Sequence, residues 1–270
     1  KYYTYVMGGS YELTALMEAE KTTAPISDGG SLTGVFEAGT DLSLTPPTRD
    51  KGLVGYWTFD GTGSIANNQT TALSDSSGKG NNGTASNVNG TGMSFVTGKK
   101  GNAVSFDGVD DYIRVGNAAN IHPNNGITIE AWINQKTIAT GDLAAYSKQI
   151  FGEYGAGGVY KGYALCLGVA KVTPLFGNGV NDWQTFSGST TYSLNNWHHV
   201  AMTFKANGKG YAYLDGQVDG SYNTGNLFPD NDTKYIGSTY RSFDGFIDEL
   251  RVYDRALSAS EIKAIYDATK

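Results

Sequence analysis

From Phe243 to Ile262 the chain reads FDGFIDELRVYDRALSASEI, and four carboxylates, Asp244, Asp248, Glu249 and Asp254, fall within its first thirteen residues. Acids at this density can act as a general acid and base, hold a cation, or rim a sheet. Strand alternation argues against the first. It sets Asp248 on a face with Phe246, Leu250 and Val252, and Glu249 on the other with Ile247, Arg251 and Tyr253, so the neighbouring acids point apart. A retaining glycosidase needs two carboxyl groups about 5–5.5 Å apart. Asp248 and Asp254 share a parity, but six strand residues span about 20 Å. A second acidic stretch, FDGVDDYIRV, carries the turn signal Asp107-Gly108 followed by Asp110 and Asp111. These acids either hydrogen-bond that turn or hold a cation.

Other reactive types are sparse. His198 and His199 are adjacent in NNWHHVAMTF and face opposite sides of a strand, so they do not share an ion. His122 stands in ANIHPNN, away from any zinc spacing, and no Ser–His–Asp arrangement can be inferred. Cys166, the single cysteine, sits in GYALCLG and reads as a small buried hydrophobe. The glycines of GAGG and GKGNNG serve turns, because no β–α unit follows them. With 20 basic and 26 acidic residues the formal charge is −6, and no basic block suggests nucleic acid. No apolar run approaches the roughly 18 residues that a membrane span requires.

A ligand is more readily placed in loops. Trp57, Trp132 and Trp197 lie in strand motifs and read as packing. Trp183 lies in the polar segment FGNGVNDWQTFSGST. There a tryptophan can stack on a sugar face while Asn178, Asn181 and Asp182 read hydroxyls; the bland reading is a loop anchor over a satellite core. Tyr154 and Tyr160 flank GEYGAGGVYKG, and Tyr240, Arg241 and Phe243 mark a third loop. Binding commonly resides in loops carried by a rigid scaffold.

Composition and pattern supply that scaffold. The 270 residues include 37 glycines and 18 tyrosines, which suits many strands joined by tight turns. From Gly52 onward, short runs such as LVGYWTF, NAVSF, DYIRVG, ITIEAWI, WHHVAMTF and GFIDELRVY alternate with Gly, Asn, Asp and Ser, as in an all-β sandwich. In ITIEAWI, Ile127, Ile129, Ala131 and Ile133 share one face, with Thr128, Glu130 and Trp132 on the other. The tail LSASEIKAIYDA predicts one short helix at the sandwich edge. Ser258 is its N-cap, Glu261 completes a capping box, and Ile262, Ile265 and Tyr266 share a face. Residues 1–50 stand apart: three basic and seven acidic side chains give −4. They contain strand material broken by MGGS and end at Pro46-Pro47, before a linker-like TRDKG. The expected domains are 1–50 and 51–270.

Seven motifs in order carry a family likeness: GLVGYWTFDG, DSSGKGNNGT, AVSFDGVDDYIRV, ITIEAWI, NNWHHVAMTF, YLDGQ and the closing FDGFIDELRVYDRALSASEI. Over residues 52–269 they resemble the laminin-G-like, concanavalin-A-like jelly rolls of the pentraxin-related group. The resemblance implies two antiparallel sheets, and carbohydrate or protein adhesion rather than catalysis. It also implies a structural Ca²⁺ where DSSGKGNNG meets the first and last strands, with Asp60 and Asp248 foremost as ligands, then Asp75 and Asn82. The alternative kept beside it is an Asx-turn at Asp75, a tight turn at Asn82-Gly83 and a merely hydrogen-bonded Asp248. Glycosidases of this architecture carry Glu-x-Asp-x-Glu on one strand, and that pattern is absent. YYTYVMGGSYELTALMEAEK resembles the distal part of a type IV pilin or pseudopilin head. Together the likenesses imply a noncatalytic, lectin-like module on a bacterial surface or pilus that binds glycan or a surface protein. The alternatives are a structural pilin-like assembly subunit and an accessory domain of a secreted glycosidase.

Overall fold

The computed structural model describes strand residues 3–5, 12–16 and 35–39, and residues 51–66, 73–86, 92–116, 121, 125–138, 148–153, 161–180, 182–228, 232–238 and 241–270. The chain divides into two units, Lys1–Lys51 and Gly52–Lys270, one residue from the expected boundary. In the first, β1 (Tyr3–Tyr5), β2 (Glu12–Leu16) and β3 (Val35–Gly39) form an antiparallel sheet in that order, with Thr4 opposite Thr14 and Thr14 opposite Glu37. The MGGS turn lies outside the described residues.

The second unit is the expected two-sheet sandwich. Its larger sheet contains β4 (Leu53–Trp57), β6 (Ser94–Thr97), β7 (Asn102–Asp107), β9 (Gly126–Gln135), β14 (Trp197–Lys205), β15 (Lys209–Leu214), β16 (Gln217–Asn223) and β18 (Asp244–Tyr253). The strand order is β16-β15-β14-β9-β18-β7-β6, with β4 also paired to β18. The smaller sheet contains β5 (Thr84–Ser86), β8 (Tyr112–Gly116), β10 (Lys148–Gly152), β11 (Tyr163–Gly168), β12 (Lys171–Gly177), β13 (Trp183–Thr185) and β17 (Lys234–Gly237), in the order β13-β12-β11-β10-β17-β8-β5. Every pairing is antiparallel. First strand β4 lies beside last strand β18, with Leu250 opposite Trp57. Inward-facing Trp57, Phe106, Ile129, Ile133, Phe151, Leu165, Met202 and Phe204 fill the space between the sheets.

The outer face of the eight-stranded sheet is covered as well. Helix α1 (Ala259–Thr269) lies over it, burying Ile262 and Ile265 against Leu53, Ala201, Tyr213, Tyr253 and Leu257. Each isoleucine so buried contributes about 1.5–3 kcal/mol of hydrophobic stabilisation. Trp132 donates its indole N–H to Thr269 Oγ1 (2.9 Å) and stacks on Tyr266 (ring centroids 5.7 Å). The helix therefore roofs a face, whereas the sequence placed it at an edge. The Ser258–Glu261 capping box forms as expected. With both of its faces covered, β9 is buried along nearly its whole length.

Candidate functional site

Strand β18 departs from simple alternation. Asp248 lies opposite Trp132 and Arg251 opposite Glu130, so three steps on β18 match two on β9. Such a mismatch is a β-bulge. Glu249 takes up the extra residue with φ of +51°. Ile247, Leu250 and Val252 all reach the inner core, and Asp248 stands on the outer side across from Trp132. Glu249 joins the same outer layer by bonding Arg251 and Tyr56. The expected alternation of Asp248 and Glu249 is therefore corrected: across the bulge both stand between the inward Ile247 and Leu250.

Beneath α1 these residues build a buried ionic layer. Arg251 donates to Glu249 Oε2 (2.5 Å) and Glu130 Oε1 (3.1 Å), and Glu130 Oε2 meets His199 Nε2 at 2.7 Å. Tyr56 donates to both Glu249 oxygens (2.9 and 2.8 Å), and its ring lies 4.1 Å from the Arg251 guanidinium. Burial pushes the Glu130 carboxyl up, but the bond from His199 and the charge of Arg251 outweigh this and hold it below its ordinary range. Glu130 and Glu249 are 0% and 1% exposed, so this carboxylate pair is roofed over, not set in a groove. Among the described residues Asp248 has no cationic partner. Burial pushes its carboxyl up to about 7; the amide of Lys100 opposes the rise and the nearby Glu249 adds to it.

Of the four residues assigned to calcium by resemblance, Asp60, Asp75 and Asp248 are not gathered within 4.8 Å of one another, and each of the four makes local hydrogen bonds. Asp75 accepts from the amides of Tyr56 (2.9 Å), Ser77 (2.8 Å) and Asn81 (2.9 Å) and from Ser77 Oγ (2.8 Å). Asn82 Oδ1 accepts from the Asp75 amide (2.8 Å). Asp60 accepts from Asn102 N (2.9 Å), and Asp248 Oδ2 from Lys100 N (2.9 Å). Each organises a turn: Asp75 makes the Asx-turn kept as the alternative, while Asp60 and Asp248 hold the β6–β7 hairpin. Among the described residues, one group of three acids is gathered closely enough for an ion. It is Asp107, Asp110 and Asp111, with ligand atoms all within 4.8 Å of one another.

His198 also carries an arrangement that spacing concealed. Its Nε2 lies 2.9 Å from Ser193 Oγ and its Nδ1 2.9 Å from Asp215 Oδ2. These are the residue types and contacts of a nucleophile relay. Asp215 Oδ1 also accepts the His199 amide (2.9 Å), and Asp215 sits in the left-handed region (φ +47°) between β15 and β16. Burial raises the Asp215 carboxyl, yet the bonds from His198 and His199 hold it below its ordinary range. The geometry ties the start of β14 to the β15–β16 turn. Sequence could not reveal it, because Ser193 and Asp215 come from separate connections.

The loop candidates fare differently. Trp183 heads the edge strand β13, opposite Gly177. Half-buried, it packs on Ala164, Cys166 and Leu175, a small cluster on the outer face of the seven-stranded sheet. Burial pushes the Cys166 thiol up to about 12, in keeping with an inert core residue. Asp182, beside Trp183, is exposed. Asn178 Oδ1 caps its own turn, accepting from Val180 N (2.9 Å) and Asp182 N (3.1 Å). Arg241 is buried (5% exposed), with its carbonyl accepting from Gln149 N (2.9 Å). It is therefore corrected from a surface contact to an interior one, because this loop is pinned to β10. Phe243 belongs to the core. His122, Tyr154, Tyr160, Asn181 and Tyr240 lie outside the described residues. On the same outer face, toward β5, Tyr112 and Tyr235 are half-buried and meet edge to face (5.6 Å), and Arg114 is exposed.

The concanavalin A-like lectin/glucanases superfamily model matches residues 107–263, more than half of the chain, and the chain belongs to this superfamily. Among solved structures it is similar to domain 4 of AbnA, an extracellular arabinanase of glycoside hydrolase family 43 from Geobacillus stearothermophilus, in complex with arabinotriose. That match has 22% identity and a TM-score of 0.60, and covers 79% of this chain and 98% of that one. It is also similar to the binding domain of Paraclostridial Mosquitocidal Protein 1 (16% identity, TM-score 0.62, 82% and 53% covered). A third is the receptor binding domain of botulinum neurotoxin D (17%, 0.59, 82% and 54%). The chain spans about half the length of those two toxin chains. At these identities the likeness is one of fold. No curated protein matches the chain in sequence. None of the matches just described is a pilin.

Proposed function

We propose that this chain is a noncatalytic, extracellular binding module that takes a glycan at the Trp183 edge of the seven-stranded sheet. The observation that carries the reading is the seat of Trp183. The ring is fixed from beneath by Ala164, Cys166 and Leu175 yet remains partly open to solvent, with the exposed carboxylate of Asp182 next to it. A pre-positioned ring offers a flat apolar face to sugar C–H groups without losing side-chain entropy on binding, and an adjacent carboxylate accepts from hydroxyls. The fold supports this reading, since a domain of the same fold has been seen with arabinotriose. The buried and fully bonded state of Glu130 and Glu249 supports the absence of catalysis. Adhesion at a bacterial cell surface is the role in keeping with such a module. A second reading, an accessory domain beside a secreted glycosidase, is favoured by the near-complete coverage of the arabinanase domain.

The test is calorimetric titration with a panel of oligosaccharides that includes arabinotriose, on the wild type and on Trp183→Ala. Binding by the wild type that weakens at least tenfold in the variant, with circular dichroism unchanged, supports the site. Equal binding by both moves the site elsewhere. No binding to any glycan in the panel counts against a sugar ligand.

A further inference from the structure

The β7–β8 connection runs Asp107-Gly108-Val109-Asp110-Asp111; Asp248 also buries an unpartnered oxygen, but among the described residues only this turn gathers three acids within 4.8 Å. Gly108 takes φ of +81°, which folds the turn tightly. Asp107 Oδ1 accepts from Val109 N (2.8 Å), and Asp111 Oδ2 accepts from Asp107 N (2.9 Å). These bonds fix the acids but leave oxygens over. Asp110 is 8% exposed and Asp111 2% exposed, and among the described residues neither Asp110 Oδ2 nor Asp111 Oδ1 has a hydrogen-bond partner. Among the described residues no Lys, Arg or His forms an ion pair with either. The turn is also braced from outside. Ser242 Oγ donates to Val109 O (2.6 Å), and a Cβ on Gly108 would fall 2.7 Å from Asp244 Cβ.

Buried carboxylate oxygens without donors are strongly disfavoured. Here two of them share one turn with a third acid. We propose that Asp107, Asp110 and Asp111 bind one hard divalent cation, calcium, at the β7–β8 turn, in place of the site that resemblance put at Asp60 and Asp248. Calcium takes oxygen ligands at about 2.3–2.6 Å, so ligands across it stand up to about 5 Å apart. The acids here offer oxygens within 4.8 Å of one another. An all-oxygen set formed around an irregular turn suits calcium better than zinc, which favours nitrogen and sulfur, or magnesium, which demands a near-ideal octahedron. In the cation's absence, burial pushes the Asp111 carboxyl up to about 6, with the charges of Asp107 and Asp110 adding to the rise. The cation is held whether or not Trp183 binds a sugar.

The test is calcium titration of the chelator-stripped chain by calorimetry, with melting followed in parallel, on the wild type, Asp110→Asn, Asp111→Asn, Asp60→Asn and Asp248→Asn. The expected result is one ion per chain and a raised melting temperature. Affinity falls at least tenfold in Asp110→Asn and Asp111→Asn and is retained in the other two. Terbium supplies a readout on unaltered protein: Tyr112, next to Asp111, should sensitise its luminescence, and calcium should quench the signal by displacement. A flat wild-type titration overturns the proposal. So does binding that survives in Asp110→Asn and Asp111→Asn but is lost in Asp60→Asn or Asp248→Asn.

Discussion

The two sheets turn very different outer faces away from their shared core. Over the eight-stranded sheet, α1 closes on Trp132 and Tyr253, and apart from Asp248 the acids beneath are paired: Arg251 lies between Glu130 and Glu249, and His199 caps the other Glu130 oxygen. The seven-stranded sheet ends instead in a half-open Trp183 at one side and carries half-buried Tyr112 and Tyr235 with an exposed Arg114 toward the other. The first face holds ionisable groups by pairing and excluding water, which favours permanence. The second holds aromatic rings on firm backing with part of their surface free, which favours recognition. Carboxylates alone therefore do not mark the site. Of the four acids between Asp244 and Asp254, Asp248 and Glu249 are buried under the roof.

The contrast can be attacked first on the closed side. Glu130→Gln removes the carboxylate that Arg251 and His199 share while Arg251 keeps Glu249, and losing such a charged hydrogen bond costs about 1.5–3 kcal/mol. Urea unfolding should show a loss of that size, while glycan affinity of the folded fraction stays level. A loss under about 1 kcal/mol would mean that the pair does little to hold this face.

A smaller effect concerns Asp248. Its carboxyl lies near 7 in the folded chain against an ordinary 3.8. The folded state thus binds this proton more tightly than the unfolded state does. The stability it contributes is complete below about pH 4 and disappears as pH rises through about 7. Melting temperatures should accordingly favour the wild type over Asp248→Asn at pH 5 relative to pH 8. The difference between the two profiles isolates Asp248 from Glu130 and Asp215, whose lowered carboxyls act in the opposite sense and at more acid pH. Parallel profiles would remove Asp248 from the account.

The smallest expected effect is at Ser193. If the Ser193–His198–Asp215 contacts are structural, a fluorophosphonate probe should not label the chain, and Ser193→Ala should change stability by no more than about 0.5 kcal/mol. Labelling abolished by Ser193→Ala would overturn the noncatalytic reading.

Much of the fold could be read from the sequence, because it follows from local rules. The sandwich emerges from regular runs and turn residues, and the Ser258–Glu261 cap from its spacing. What escaped depends on one residue breaking a period. The bulge at Glu249 turns two acids that alternation separates toward the same layer, and no propensity of glutamate announces a positive φ. The site residues divide in the same way. Trp183 could be singled out by its polar surroundings, but its backing by Ala164, Cys166 and Leu175 comes from register between strands. The resemblance pointed to Asp60, Asp75 and Asp248, which bond nearby backbone amides. Asp107, Asp110 and Asp111 were visible as a turn, but their close gathering and the two orphaned oxygens among them arise only from the fold.

The central claim, that ligand binds the open face and not the roofed one, is tested most directly by the indole N–H resonances of the four tryptophans during titration with a glycan identified by the calorimetric panel. The account predicts a saturable shift at Trp183, with the Trp132 signal, locked to Thr269, unmoved. A shift at Trp132 with Trp183 silent at saturation would contradict it.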